Sequence, residues 1–128
     1  MVDPLDALRV EPVARFEDAR GALIKAFPGP VAGEVYLVAL EPGATRGQHL
    51  HRRAGEQFTG VLGEPVLLVA DPASGRTRRF ALAGQRVSVP AGLAHAIVAP
   101  PGQPCLVAAA MDRAHDPDDV VPFPLEGP

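Results

Sequence analysis

The chain has 128 residues, enough for one domain with a real core, and its 47% hydrophobic and 21% charged content is that of an ordinary globular protein. A net charge of −3 excludes a basic nucleic-acid groove, and no apolar run is long enough to span a bilayer, so neither nucleic acid nor membrane is expected as a partner. The single cysteine, Cys105, excludes an internal disulfide and any paired-cysteine metal site.

The first stretch, residues 1–20, reads as a loose arm. Asp3 and Asp6 stand where a signal peptide would be basic, which leads us to expect a cytoplasmic protein. "DARG" (18–21) is a turn signal before the short strand "ALIKAF". Strands are then expected in "EVYLVALE" (34–41), "PVLLVAD" (65–71), "TRRFAL" (77–82), "RVSVP" (86–90), "HAIVAP" (95–100) and "CLVAAAM" (105–111). Gly, Pro or Asp bounds most of them, and "DPASGR" (71–76) reads as a hairpin tip. Fifteen prolines and thirteen glycines, spread along the chain, fit many short strands joined by turns. Strands recur about every ten residues, as in a β-sandwich or barrel, and no segment has a useful helical period. The expectation is an all-β single domain: an N-terminal arm (1–20), a barrel (about 21–111) and an acidic, proline-rich tail (112–128). The tail is expected to lie over the domain or to reach a neighbour.

Three of the four histidines fall in a spaced pattern. His49 and His51 are two apart, so on a strand both imidazoles share one face. Gly55 can turn the chain and bring Glu56 back on the next strand. His95 opens another strand just after a Pro-Gly turn. Three imidazoles and a carboxylate converging in a barrel mouth suit a divalent first-row metal with open positions. Imidazole is also the side chain best poised for proton transfer near neutral pH. A hydrogen-bonded structural role for the histidines is the remaining alternative.

The spacing resembles the two motifs of the cupin family. The first runs Gly43, "ATRGQ", His49, Leu50, His51, "RRAG", Glu56, "QFTGVL", Gly63. The second runs Gly84, "QRVSV", Pro90, Ala91, Gly92, "LA", His95, "AIV", and then Ala99 where the family has Asn. The resemblance spans the central half of the chain. It implies a jelly-roll β-barrel, usually a homodimer, with the site inside the barrel. Gly43, Gly63, Gly84 and Gly92 then serve as turn glycines.

A narrower likeness is to cupins acting on dTDP-4-keto-6-deoxy sugars, the 3,5-epimerases and the 3,4-ketoisomerases. "ATRGQHLH", "ARGALIKAF", "VADPASGRTRRF", "PAGLAHAI" and "MDRAHDPDD" resemble their segments in common order. Two departures pull in opposite directions. The 3,5-epimerases carry a late tyrosine acid where this chain has the alanines of "LVAAAM", whereas Tyr36 resembles the early tyrosine of the ketoisomerases. Ketoisomerases need no metal and often have Gln at the place of Glu56; the Glu found here is that of metal-binding cupins.

Three functions stay open from the sequence. The first is an isomerase or epimerase of a nucleotide-linked 4-keto-6-deoxy sugar, without a cofactor. His49 and His51 would move the protons, Tyr36 would act as shuttle or as a core residue, and Arg46 and His95 would contact a dTDP-sugar. The second is a mononuclear metal cupin, a dioxygenase or isomerase of a small polar substrate. Its Fe, Mn, Ni, Zn or Cu ion would be held by His49, His51, Glu56 and His95. The third is a non-catalytic ligand-binding cupin, which Ala99 and the missing late tyrosine favour. His115, Arg52 and Arg53 are expected at the surface, Cys105 as an inert buried thiol, and the phenylalanines mostly in the core.

Overall fold

A computed structural model describes residues 2–125. A turn of 3-10 helix, Pro4–Ala7, leads into β1 (Arg9–Pro12), β2 (Arg15–Asp18) and β3 (Gly21–Ile24). The chain continues through β4 (Val35–Leu40), β5 (Thr45–His51), β6 (Glu56–Leu62) and β7 (Val66–Ala70). β8 (Thr77–Ala81), β9 (Gln85–Val89), β10 (Ala94–Val98), β11 (Cys105–Met111) and β12 (Val120–Pro122) complete it. Two antiparallel sheets form, ordered β1-β9-β6-β11-β4 and β12-β5-β10-β7-β8. This is the all-β jelly roll that the cupin motifs implied.

Alternation along the strands makes the core. Phe58 on β6, Leu67 and Val69 on β7, Val87 on β9 and Val107 on β11 are all fully buried in one cluster between the sheets. On β10 both faces are buried. Ile97 points into that cluster, while Ala94, Ala96 and Val98 pack on the other face with Leu125 and Phe123. Cys105 is buried, as its apolar surroundings implied. "DPASGR" forms the β7–β8 tip, where the Asp71 carboxylate accepts from the Ala73 amide (3.1 Å) and the Ser74 hydroxyl (2.9 Å).

The sheets extend beyond the span read from the sequence. β1 pairs with β9 (Arg9 opposite Ser88) and β12 pairs with β5 (Val120 opposite His51), so both flanks of 21–111 supply strands. Strands of four and three residues are too short to show a period, and each covers what would otherwise be an open sheet edge. The arm is therefore partly sheet. β2 and β3 form a separate hairpin around Asp18–Gly21, where the Asp18 carboxylate accepts from the Arg20 amide (2.8 Å). Phe16 on this hairpin is 60% exposed, against the expectation of a core position, because β2 and β3 pair only with each other.

Gly60, within β6, shows how tightly the barrel is closed. Its amide donates to the Leu82 carbonyl (3.0 Å), and a Cβ here would stand 2.6 Å from that same oxygen. Backbone must shift to admit even one methyl group. Gly60→Ala is expected to destabilise the protein by about 1–3 kcal/mol, read as a lower urea midpoint at unchanged slope.

Candidate functional site

β5 presents the paired histidines by means of a bulge. Gly47 (φ 95°) and Gln48 (φ 57°) both have left-handed backbone, and the β5–β10 register shifts here: Gly47 faces Ala96, whereas His49 faces His95. A Cβ on Gly47 would press on the His95 carbonyl at 3.1 Å, so glycine suits the close approach of the two strands. Past the bulge, His49 and His51 share the inner face, as their spacing implied. The turn after β5 brings Glu56 in at the start of β6, in the opposite sheet.

The four predicted side chains meet. One candidate ligand atom from each of His49, His51, Glu56 and His95 lies within 4.8 Å of the others. Nε2 of His51 is 2.6 Å from Oε1 of Glu56, and Nε2 of His95 is 3.6 Å from the same oxygen. The imidazole rings of His49 and His95 stand 4.9 Å apart, edge to face. His51, Glu56 and His95 are buried; His49 is partly exposed.

Burial and charge set their protonation. Contact with Glu56 holds His51 above the ordinary imidazole value, against the cost of its burial, and the Asp119 carboxylate adds to this. Burial pushes His95 down to about 4, so it is neutral at pH 7. Burial, and then the neighbouring His51 charge, also lower His49. Burial would raise Glu56, but His51, His95 and the Tyr36 hydroxyl outweigh it and keep the carboxylate ionised. The Tyr36 hydroxyl donates to Oε2 of Glu56. Burial, and then the Glu56 charge, hold the phenol far above its usual range, so Tyr36 stays protonated.

One functional neighbour escaped sequence reading. Asp119, 2% exposed, accepts from the amides of Arg53 (2.7 Å) and Ala54 (3.1 Å). Its Oδ2 faces Nδ1 of His51 at 3.6 Å. Asp119 thus shapes the β5–β6 turn and stands behind His51. Only its place in an acidic run, "DPDD", was visible, and such runs are ordinarily solvated. Arg53 is exposed, as expected, and pairs at the surface with Asp116 on this same segment (3.0 Å).

A cavity of about 280 Å³ opens over the cluster. Val38, Phe58, Ile97 and Met111 give it apolar walls, and Tyr36, His49, His51 and His95 give it polar ones. Arg46, exposed on β5, stands at its mouth. His115 is exposed, as expected, yet it also lines this cavity.

The donor set suits a divalent ion. Nδ1 of His51, Oε1 of Glu56 and Nδ1 of His95 are buried and find no aligned hydrogen-bond partner among the described residues. Three imidazoles and one carboxylate at this separation match the ligand chemistry of first-row metals. The Asp119 carboxylate behind His51 is the kind of outer partner that fixes a ligand's ring.

Residues 16–120 match the family model described as the polysaccharide biosynthesis C-terminal domain. No curated protein matches the sequence. Among solved structures, a dTDP sugar isomerase from Desulfovibrio desulfuricans is similar with a TM-score of 0.85 at 17% identity, over 97% of this chain and 88% of that one. The capsular polysaccharide assembling protein CapF of Staphylococcus aureus gives 0.69 at 23% identity, over 89% of this chain but only 35% of that one. The 3'-monoepimerase ChmJ of Streptomyces bikiniensis, solved with dTDP-quinovose, gives 0.76 at 19% identity, over 88% of this chain and 67% of that one. At such identities these likenesses establish the fold. Among the described residues, no helix is long and apolar enough to cross a membrane.

Proposed function

We propose that this chain, which belongs to the polysaccharide biosynthesis C-terminal domain family, is an isomerase or epimerase of a nucleotide-linked 4-keto-6-deoxy sugar. One observation carries the reading: His49, His51 and His95 converge on a cavity large enough for a sugar ring, with apolar walls and an open mouth. Its volume of about 280 Å³ is at the lower edge of small-molecule sites. A hexose fits inside, and the nucleotide is left at the rim, where Arg46 offers a fork for a phosphate. The sugar-nucleotide enzymes among the similar structures support the same substrate class. A homodimer in the cytoplasm is the setting we assign to it.

The chemistry follows from the protonation states. A ketone acidifies the C–H bond beside it, and a neutral imidazole can take that proton. His49 is the neutral, cavity-facing member and serves as base. His51, raised above the ordinary imidazole value by Glu56 and with Asp119 behind it, lines the cavity beside it and serves to return a proton. His95 is neutral and orients the ring. Tyr36, fixed as a donor on Glu56, acts through that carboxylate rather than as a shuttle.

The test is solvent exchange. With a dTDP-4-keto-6-deoxyhexose in deuterated buffer, we expect deuterium at C3 and little at C5, since the late tyrosine is absent. No exchange at either carbon with dTDP- and GDP-linked 4-keto sugars would sink the reading.

A second reading has its own observation, the buried four-residue donor set with unpartnered polar atoms. His49, His51, Glu56 and His95 would then hold a divalent ion. Such an ion supplies Lewis acidity to a bound ketone or other polar substrate oxygen. Tyr36 would orient Glu56, and Asp119 would orient His51. Protein purified without a histidine tag decides between the two. About one divalent ion per chain supports the second reading, and full exchange in chelator-treated protein supports the first.

A further inference from the structure

We infer that His115 is a substrate-contacting residue that helps fix which sugar carbon faces His49 and His51. The inference rests on the sugar-nucleotide reading and adds a residue to it.

The argument begins with the path of the chain. β11 ends at Met111 in one sheet, and β12 pairs with β5 at the edge of the other. Residues 112–119 therefore cross from sheet to sheet at the end of the barrel that holds the histidines. This strap is pinned along its length. The Asp112 amide donates to the Gly55 carbonyl (3.0 Å), and Asp116 pairs with Arg53. The Arg52 amide donates to the Asp119 carbonyl (2.9 Å). Gly33 packs so tightly beneath that a Cβ on it would stand 2.3 Å from the Arg113 amide nitrogen.

A strap held at these points fixes where its backbone carries His115 over the cavity. His115 is the strap residue that lines the cavity. Its ring stands edge-on to His51, with centroids 6.4 Å apart. A ligand lying against His51 is thus within its reach. Rotation of a sugar ring in the cavity changes which carbon meets the histidines, and a hydrogen bond from this imidazole to one ring substituent selects among those rotations. Imidazole can both donate and accept, so it serves a hydroxyl or a ketone oxygen. The contact is assigned to the sugar rather than the nucleotide because His115 stands beside His51, against which the sugar ring is placed.

The test compares three variants with the unmodified protein on the keto sugar nucleotide, with dTDP alone as a control ligand. In His115→Ala, kcat/KM for exchange is expected to fall about 5- to 10-fold, the size of one lost hydrogen bond. The ratio of exchange at C3 to that at C5 should fall with it. His115→Gln, which keeps a donor and an acceptor, should recover both to within about threefold, and His115→Phe should not. Affinity for dTDP should stay within about twofold in all three, since the nucleotide does not depend on this contact. An unchanged rate and ratio in His115→Ala overturns the inference and leaves the sugar reading standing. Loss of dTDP affinity in parallel with rate also overturns it, placing the side chain at the nucleotide. No exchange by the unmodified protein overturns both.

Discussion

His51→Asn is expected to lower deuterium exchange by about 10²- to 10⁴-fold, the usual contribution of a positioned acid or base. Asparagine keeps a polar group in the same buried space but cannot carry a proton near pH 7. The effect exceeds that of other substitutions because His51 has a carboxylate near each ring nitrogen. Nε2 meets Glu56 at 2.6 Å and Nδ1 faces Asp119 at 3.6 Å. No other imidazole of the cluster has a carboxylate on each side. Circular dichroism and dTDP affinity report whether the fold and the rim survive the change. A variant that keeps a tenth or more of the exchange rate would show that His51 is a structural residue and that His49 works without it.

Glu56→Gln is expected to cost about 1–3 kcal/mol of stability in chelator-treated protein, because a charge-assisted contact to His51 is lost in a buried place. The loss should depend on pH in a definite way. His51 is raised above 6.5 by Glu56, so its part of the stability is whole below 6.5 and is lost as pH climbs through the folded value. Glu56 is lowered beneath 4.5, so its part is whole above 4.5 and is lost as pH falls through the folded value. The gap between the two proteins should therefore be widest between 4.5 and 6.5 and shrink on either side. Urea titrations across pH measure it, and a gap that grows steadily above that window would refute the pairing. In the metal reading the same variant also loses most of its ion, which elemental analysis detects independently.

Much of the site could be read from the chain because strand geometry turns spacing into direction. His49-x-His51 had to share a face once β5 was a strand, and Pro90-Ala91-Gly92 had to turn the chain ahead of His95. β4, β7, β10 and β11 were equally visible, since each holds a long enough apolar run, whereas β5, "TRGQHLH", and β6 hold no such run. Three features were hidden. The bulge at Gln48 uses left-handed backbone at a residue that rarely adopts it, so no residue type announced it. Asp119 looks like its neighbours Asp116 and Asp118; only the packing of β12 against β5 buries one of the three beside His51. Phe16 misled in the other direction, because hydrophobicity indicates burial only where a second layer exists to cover the strand.

The pairing of Val120 with His51 also sets an order of assembly. Contacts between residues so distant in sequence must overcome the entropy of closing a long loop, which makes folds of this kind slow to form. β5 emerges from the ribosome early, with its two histidines, and waits for β10 and β11 before the cavity has walls. Asp119 and His115 arrive later still. Until they do, the turn after His51 has no carboxylate to cap it, and the nascent barrel is open at the end where chemistry would occur. The cavity and its flanking carboxylate are thus complete only once β12 has docked on β5.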